Sequence, residues 1–291
     1  MGGLDMAKQN KPQHASDTGH EWDGIRELTN PPPRWWMISL HASWIWCVVY
    51  FILYPSIPLL HDSTKGILGW TQIKEYKEAV AENDAIKQPY LKKIAAMNGQ
   101  QILGDPGMRN FADSSAKAIF GDNCAGCHGA GGQGAPGLFP VLADDDWLYG
   151  GDFDTLVETI TSGRQSFMPA HEGVLDEATI NSLADFVLAA SQGKATPEQL
   201  ALFNQSGCSA CHGEDAKGGA INKLGTGAAN LTDAIWRFGG SREEVLRTLR
   251  YGVNQDSPKT RVAIMPAFNG KLSPETIKML AVKVHQFGGG Q

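Results

Sequence analysis

The chain has 291 residues, enough for more than one core, and its 42% hydrophobic and 19% charged content excludes general disorder. A net charge of −6 disfavours a nucleic-acid partner. Five cysteines, an odd number, argue against a simple disulfide framework and direct attention to ligand or cofactor chemistry.

Residues 1–34 are polar and end in Pro31-Pro32-Pro33-Arg34. From Trp35 to Tyr54 there is no Asp, Glu, Lys or Arg. Twenty residues of helix reach about 30 Å, enough to cross a hydrocarbon core. Trp35, Trp36, Tyr50 and Tyr54 lie towards the ends, where aromatic rings favour the headgroup zone, and Pro55 and Pro58 stop the helix. The pattern predicts one transmembrane helix over 35–57. It is too long, starts too late and lacks the small-residue site of a cleaved signal peptide. His41 and Cys47 within it read as packing contacts against neighbouring helices. Arg26 and Arg34 before it and Lys65, Lys74 and Lys77 after it leave the orientation open.

Residues 58–108 read as a helical linker: a helix or two from Thr71 to Asn98, interrupted near Pro89, then a turn-rich stretch from Gly99 to Gly107. The rest is one unit written twice, residues 109–193 and 194–291. Ala116-Lys117-Ala118-Ile119-Phe120 answers Gln199-Leu200-Ala201-Leu202-Phe203, and Cys124-Ala125-Gly126-Cys127-His128 answers Cys208-Ser209-Ala210-Cys211-His212. Asp146-Trp147-Leu148-Tyr149-Gly150-Gly151 answers Ile235-Trp236-Arg237-Phe238-Gly239-Gly240. Each copy then reaches Met-Pro-Ala, at Met168 and Met265, and closes with an apolar-periodic helix. Phe120 is expected against Leu183 and Phe186, and Phe203 against Leu280 and Val284. The first copy carries 3 Lys/Arg against 12 Asp/Glu and the second 12 against 8, so the first reads as an acidic face for a basic partner.

C-x-x-C-H is the attachment sequence of c-type haem. Two thiols two residues apart on one turn reach both vinyl groups of a porphyrin, and the adjacent His becomes the proximal ligand. Cys124, Cys127 and His128 are therefore expected to hold one haem, and Cys208, Cys211 and His212 a second. A zinc ribbon would need the pairs close together, and a thioredoxin-like pair would need a preceding strand. Met168 and Met265, the two methionines followed by Pro, are the expected sixth ligands. A thioether raises the haem potential and fills the coordination sphere, which suits a carrier rather than a peroxidase. Each domain closing on its own Met is the simplest case, with exchange between the domains the alternative. His171 is taken as a surface residue, since its copy is Phe268. Trp147, Trp236 and Arg164 are candidate partners of the haem propionates.

With these pieces placed, the chain resembles the family of dihaem subunits of cbb3-type cytochrome c oxidases. The resemblance rests on His20-Glu21-Trp22-Asp23-Gly24-Ile25-Arg26-Glu27-Leu28 leading to Pro32-Pro33-Arg34-Trp35-Trp36, on Tyr54-Pro55, Asp145-Asp146-Trp147-Leu148-Tyr149-Gly150-Gly151 and Asn230-Leu231-Thr232-Asp233, and on the tail from Leu280 to Gly288-Gly289-Gly290. Lys283 departs from the aromatic expected there. The resemblance implies an all-α protein with one N-terminal transmembrane helix and two tandem cytochrome c domains. It implies residence in the bacterial inner membrane, with residues 1–34 cytoplasmic and both haem domains in the periplasm. It also implies electron transfer from a soluble or membrane-bound donor cytochrome c, through a monohaem subunit, to a haem–copper subunit that reduces O2. The same haem residues would equally serve a membrane-anchored dihaem cytochrome of another respiratory complex.

Overall fold

A computed structural model of the chain describes residues 16–135, 137–145, 147–218 and 227–288. The first fifteen residues, Asp146 and the tail glycines Gly289 and Gly290 lie outside these. The chain divides into two compact units, residues 1–84 and 85–291.

The first unit opens with a hairpin that the reading of residues 1–34 as merely polar did not anticipate. Strand β1 (Asp17–Trp22) pairs antiparallel with β2 (Ile25–Leu28). Asp23 and Gly24 both take positive φ at the turn, which is why an Asp-Gly pair sits there. Helix α1 (Arg34–Leu53) follows with none of its residues buried by the rest of the chain. It is long and apolar enough to cross a membrane. Its last carbonyls are met by a returning segment: Ile67 N–H donates to Ile52 O and Leu68 N–H to Leu53 O, at 3.0 and 3.1 Å. Gly66, at φ 65°, allows that return, because a Cβ there would strike the Leu53 carbonyl. Tyr54 stacks on Tyr50 and meets Trp70 edge-on, gathering aromatic rings at this end of the helix. Helix α2 (Gln72–Ala96) then runs unbroken over Pro89. The expected interruption does not occur.

In the second unit the expected turn-rich linker contains a helix, α3 (Gly99–Gly104), started by an Asn98–Gln101 capping box. Gly99 is there for closeness rather than flexibility: a Cβ would run into the Phe153 ring. The first repeat continues as α4 (Pro106–Asn123), α5 (Ala125–His128), α6 (Phe153–Ser162), the two-residue strand β3 (Arg164–Gln165) and α7 (Glu177–Ala190). The second continues as α8 (Pro197–Gln205), α9 (Ser209–His212), α10 (Arg242–Tyr251), strand β4 (Ile264–Met265) and α11 (Pro274–His285).

These elements form two lobes, and the lobes do not follow the repeats. The first core holds Ile94, Ile102, Ala112, Ala116 and Phe120 with Leu156 and Ile160 of α6, and it is closed by Ile277, Leu280, Ala281 and Val284 of α11. The second holds Phe203, Val245 and Leu249 and is closed by Ile180, Leu183, Phe186 and Val187 of α7. The final helix of each repeat therefore packs in the lobe of the other. Phe120 meets Phe287, with ring centroids 5.2 Å apart, and Phe203 meets Phe186 at 4.8 Å. The expected packing of Phe120 on Leu183 and Phe186, and of Phe203 on Leu280 and Val284, is thus reversed. Hydrophobic spacing says that a helix has an apolar face, not which of two similar grooves takes it.

Backbone pairing makes the crossing. Arg164 pairs with Met265 and Gln165 with Ile264 in an antiparallel two-stranded sheet of β3 and β4. At the related place Met168 and Val253 exchange both hydrogen bonds, at 3.3 and 3.0 Å. Farther along, Phe268 N–H donates to Ile160 O and His171 N–H to Leu249 O, both 3.1 Å. Each Met-Pro segment thus runs beside the chain leaving the preceding helix of the other repeat. Gly163 (φ 70°) and Gly252 (φ 64°) occupy the corresponding corners, where a Cβ would strike the carbonyl of Met265 or Met168 respectively.

Candidate haem sites

Each C-x-x-C-H begins at a helix end and forms its own short turn. Cys124 and Cys208 accept at their carbonyls from the N–H groups of His128 and His212, at 2.9 and 3.0 Å, so the two thiols and the imidazole stand on one turn of chain. A glycine of positive φ, Gly129 or Gly213, ends the turn. His128 Nδ1 lies 3.1 Å from Pro140 O, and His212 Nδ1 lies 2.9 Å from Ala229 O. A carbonyl oxygen only accepts, so Nδ1 carries the hydrogen in both and Nε2 keeps its lone pair for a metal. Burial pushes both imidazoles down from their ordinary pKa against the raising effect of these carbonyls, and the Arg237 charge adds to the lowering at His128. Burial and then the neighbouring Cys127 push the Cys124 thiol up to about 11, and burial raises Cys208 as well.

Two cavities open onto these turns. The first is lined by Cys124, Cys127 and His128 and also by Met265, with Phe120, Leu156, Phe268, Leu280 and Val284 as apolar walls. The second is lined by Cys208, Cys211 and His212 and by Met168, with Leu183, Val187, Phe203, Val245 and Leu249. With their open mouths they enclose about 1250 and 1370 Å³ of empty space. In each, the histidine and the methionine come from different repeats. The methionine on the wall beside each C-x-x-C-H is the other repeat's, not the one expected from its own repeat. A pair of thiols, an imidazole with a free lone pair and a thioether in one apolar slot fit a covalently attached haem, whose porphyrin face needs such walls.

Around the donors the two lobes repeat and then diverge. The Trp147 indole lines the first cavity but spends its N–H on Asp144 O at 2.8 Å, and Trp236 lines the second. Arg164 lines the first cavity with its guanidinium 4.7 Å from the Tyr149 ring centre and its Nε donating to Thr159 Oγ1 at 2.9 Å. Its spatial counterpart is Arg261, 5.5 Å over Phe238 and paired with Glu244. Counting back from each Met-Pro, rather than along the helices, would have matched these two arginines. His171 is half-buried on the wall of the second cavity rather than on the open surface, and burial lowers its pKa. Lys283 donates to Asp113 at 3.0 Å and lies 5.2 Å over Phe287, so it seats α11 in the place of an aromatic. Arg237, not singled out in the sequence because its repeat counterpart is Leu148, lines both cavities.

An apolar helix long enough for a membrane, the one such helix among the described residues, joined to two cytochrome c repeats with a cavity beside each C-x-x-C-H, defines a membrane-anchored dihaem c-type cytochrome. Residues 14–61 match the N-terminal domain of cytochrome oxidase-cbb3, FixP, and residues 111–187 and 195–282 match cytochrome c oxidase, cbb3-type, subunit III. The chain is 40% identical to the cbb3-type cytochrome c oxidase subunit FixP of Azorhizobium caulinodans, over 95% of this chain and 94% of that one. It is 38% identical to subunit CcoP of Azospirillum brasilense and 37% identical to FixP of Bradyrhizobium diazoefficiens, covering 94% of this chain and 95% of the relative in each case. The chain belongs to the CcoP/FixP family, the dihaem c-type cytochrome subunits that transfer electrons within cbb3-type oxidases. It is therefore a membrane subunit of a complex with other oxidase subunits, and service to a different respiratory complex is not favoured.

Proposed function

We propose that one haem is attached through Cys124 and Cys127 and held between His128 and Met265, and the other through Cys208 and Cys211 and held between His212 and Met168. The carrying observation is the lining of the two cavities, each combining one repeat's C-x-x-C-H with the other repeat's Met-Pro. When bound, each haem supplies a one-electron ferrous–ferric couple. The Nδ1–H bonds to Pro140 O and Ala229 O orient the imidazoles and fix the tautomer that leaves Nε2 free, while burial favours the neutral rings. The thioethers favour the ferrous form and leave no coordination site for O2, so the chain's own part is relay rather than O2 chemistry.

The reading extends to topology and partners. The β1–β2 hairpin lies on the cytoplasmic side of the inner membrane and both lobes lie in the periplasm, where c-type haem is attached. Electrons arrive from a soluble or membrane-bound cytochrome c and leave through a monohaem subunit towards the haem–copper subunit that reduces O2. Two domain limits also follow as proposals: a spanning segment of 35–57 and a linker of 58–108, with 109–193 and 194–291 as units of sequence repetition whose final helices are exchanged.

The ligand assignment is tested in a single-haem background. With Cys124→Ala and Cys127→Ala, the remaining haem sits on Cys208 and Cys211. Adding Met168→Ala should then open that haem to carbon monoxide, giving about one equivalent in a difference spectrum, whereas adding Met265→Ala should give none. The opposite pattern would restore ligation within each repeat.

A further inference from the structure

The wall between the two cavities is made of residues that line both: Leu148, Ser166, Arg237 and Ala263. They fall into two repeat-related pairs. Leu148 and Arg237 each follow the Trp of their repeat, and Ser166 and Ala263 each stand two residues before the Met. The approximate symmetry that exchanges the lobes thus places the same two positions on the shared wall from both sides. In each pair one member is apolar and the other polar, and only Arg237 carries a charge.

Arg237 is half-buried and packs on the ring that follows it. Its guanidinium lies 5.5 Å from the Phe238 ring centre, and Arg261 lies at the same distance from that ring. Arg261 also donates to the Phe238 carbonyl at 3.4 Å and pairs with Glu244 of α10. The neighbouring wall is tied by hydrogen bonds. Asn254 Nδ2 donates to Ser166 O and Ala263 O, at 2.6 and 3.0 Å, and its Oδ1 accepts from Ala263 N–H at 2.9 Å. Tyr149, from the first cavity, bonds through its hydroxyl to Ser166 Oγ at 3.0 Å. The Arg237 guanidinium thus stands half-buried beside a hydrogen-bonded wall.

We propose that Arg237 is a positioning residue common to both haems: one guanidinium, on the wall between them, interacts with both and sets both potentials in the same direction. Each haem gains one positive charge on oxidation and carries acidic propionate substituents. A cation on that wall disfavours the oxidised form electrostatically and offers those carboxylates a five-donor planar partner. The low-dielectric cavity walls leave this field little screened. Leu148 supplies no such charge, so the second repeat alone furnishes the cation for the pair. Arg164, which lines only the first cavity, gives the internal comparison.

This inference rests on the haem placement proposed above, so the test must report the two separately. The full-length dihaem chain, purified in detergent apart from the other subunits, is titrated potentiometrically at the c-haem absorption bands for the parent, Arg237→Gln, Arg237→Lys and Arg164→Gln. Both c-haem waves should move to lower potential in Arg237→Gln and return part of the way in Arg237→Lys, whereas Arg164→Gln should move one wave only. The near-infrared methionine-to-ferric charge-transfer band of the same samples reports His/Met ligation independently of potential. Movement of a single wave, or of neither, in Arg237→Gln with that band intact would overturn the proposal. If Arg237→Gln loses haem, Arg237→Lys carries the test: both waves displaced together support the shared role, and one wave displaced alone refutes it.

Discussion

The helix starts of the two repeats show how single side chains set the frame of the sites. Asp152 caps α6 by accepting from Thr155 N–H at 3.0 Å, and Ser241 does the same for α10 from Glu244 N–H at 3.3 Å. Asp176 and Ser273 form the second such pair, at α7 and α11. Hydrogen bonds from Thr155 hold the Asp152 carboxyl below the usual carboxylate range. A lowered folded pKa means that the charged form is favoured by folding. Its contribution is fully present above the unfolded value of about 3.9 and is lost as pH falls through the lower folded value. Asp152→Ala should therefore destabilise the haem-loaded chain by about 1 kcal/mol at pH 7 in urea unfolding, and the gap to the parent should narrow as the pH is taken progressively below the unfolded value of about 3.9.

At the scale of elements, the two glycine corners let each Met-Pro segment lie against the chain of the other repeat. Gly163 leaves α6 at φ 70° and lets β3 lie against β4, whose last residue is Met265. Gly163→Ala would put a methyl against the Met265 carbonyl in a backbone conformation that L residues resist, a strain of about 1–3 kcal/mol. The expected outcome is a weakened Met265 contact: carbon monoxide should bind at the haem of Cys124 and Cys127 in Gly163→Ala and at the other haem in Gly252→Ala. Unchanged spectra in both would show that the corners do not steer the ligands.

The crossing itself was not legible, while much around it was. The C-x-x-C-H and Met-Pro pairs could be read because the chemistry demands given residue types at given spacing, and α1 could be read because twenty uncharged residues have few other uses. The partner of α7 or α11 could not, since both present Leu, Val and Phe or Ile to grooves that the repeat makes alike. The Asp23-Gly24 hairpin carried a readable turn signal that the polarity around it obscured. What distinguishes the grooves is polar. Asp185 and Glu177 of α7 meet Arg242 and Arg250 of α10, whose counterparts in α6 are Phe153 and Thr161. Lys283 of α11 meets Asp113 of α4, and Lys278 donates to the carbonyls of Ile94, Ala95 and Met97 at the end of α2, at 3.2, 3.0 and 2.8 Å. Pairs of this kind are each too weak to drive folding but together can choose between similar grooves.

Across the whole molecule the exchange redistributes charge. By sequence repeat the split is 3 Lys/Arg against 12 Asp/Glu and then 12 against 8. By lobe it is nearly even: residues 109–165 with 264–291 carry 6 against 9, and residues 166–263 carry 9 against 11. The acidity of the first repeat, read as a docking face, is thus partly spent on α10, and neither lobe stands out as the acidic one. The exchange also makes the lobes interdependent. Removing α11 from the first lobe uncovers Phe120 and Leu156 and takes β4 off β3, which stands beside the Ser166–Asn254 clasp of the shared wall. Loss of such packing carries about 3–5 kcal/mol for one large aromatic alone, so neither lobe can open without a large penalty passed to its neighbour. Tandem domains that closed on themselves would unfold separately. Here urea unfolding of the parent, followed by its methionine-to-ferric charge-transfer absorption and by far-ultraviolet dichroism, should give one transition with coincident midpoints for the two lobes. Two resolved transitions, one for each lobe, would show that the crossing contributes little to holding the molecule together.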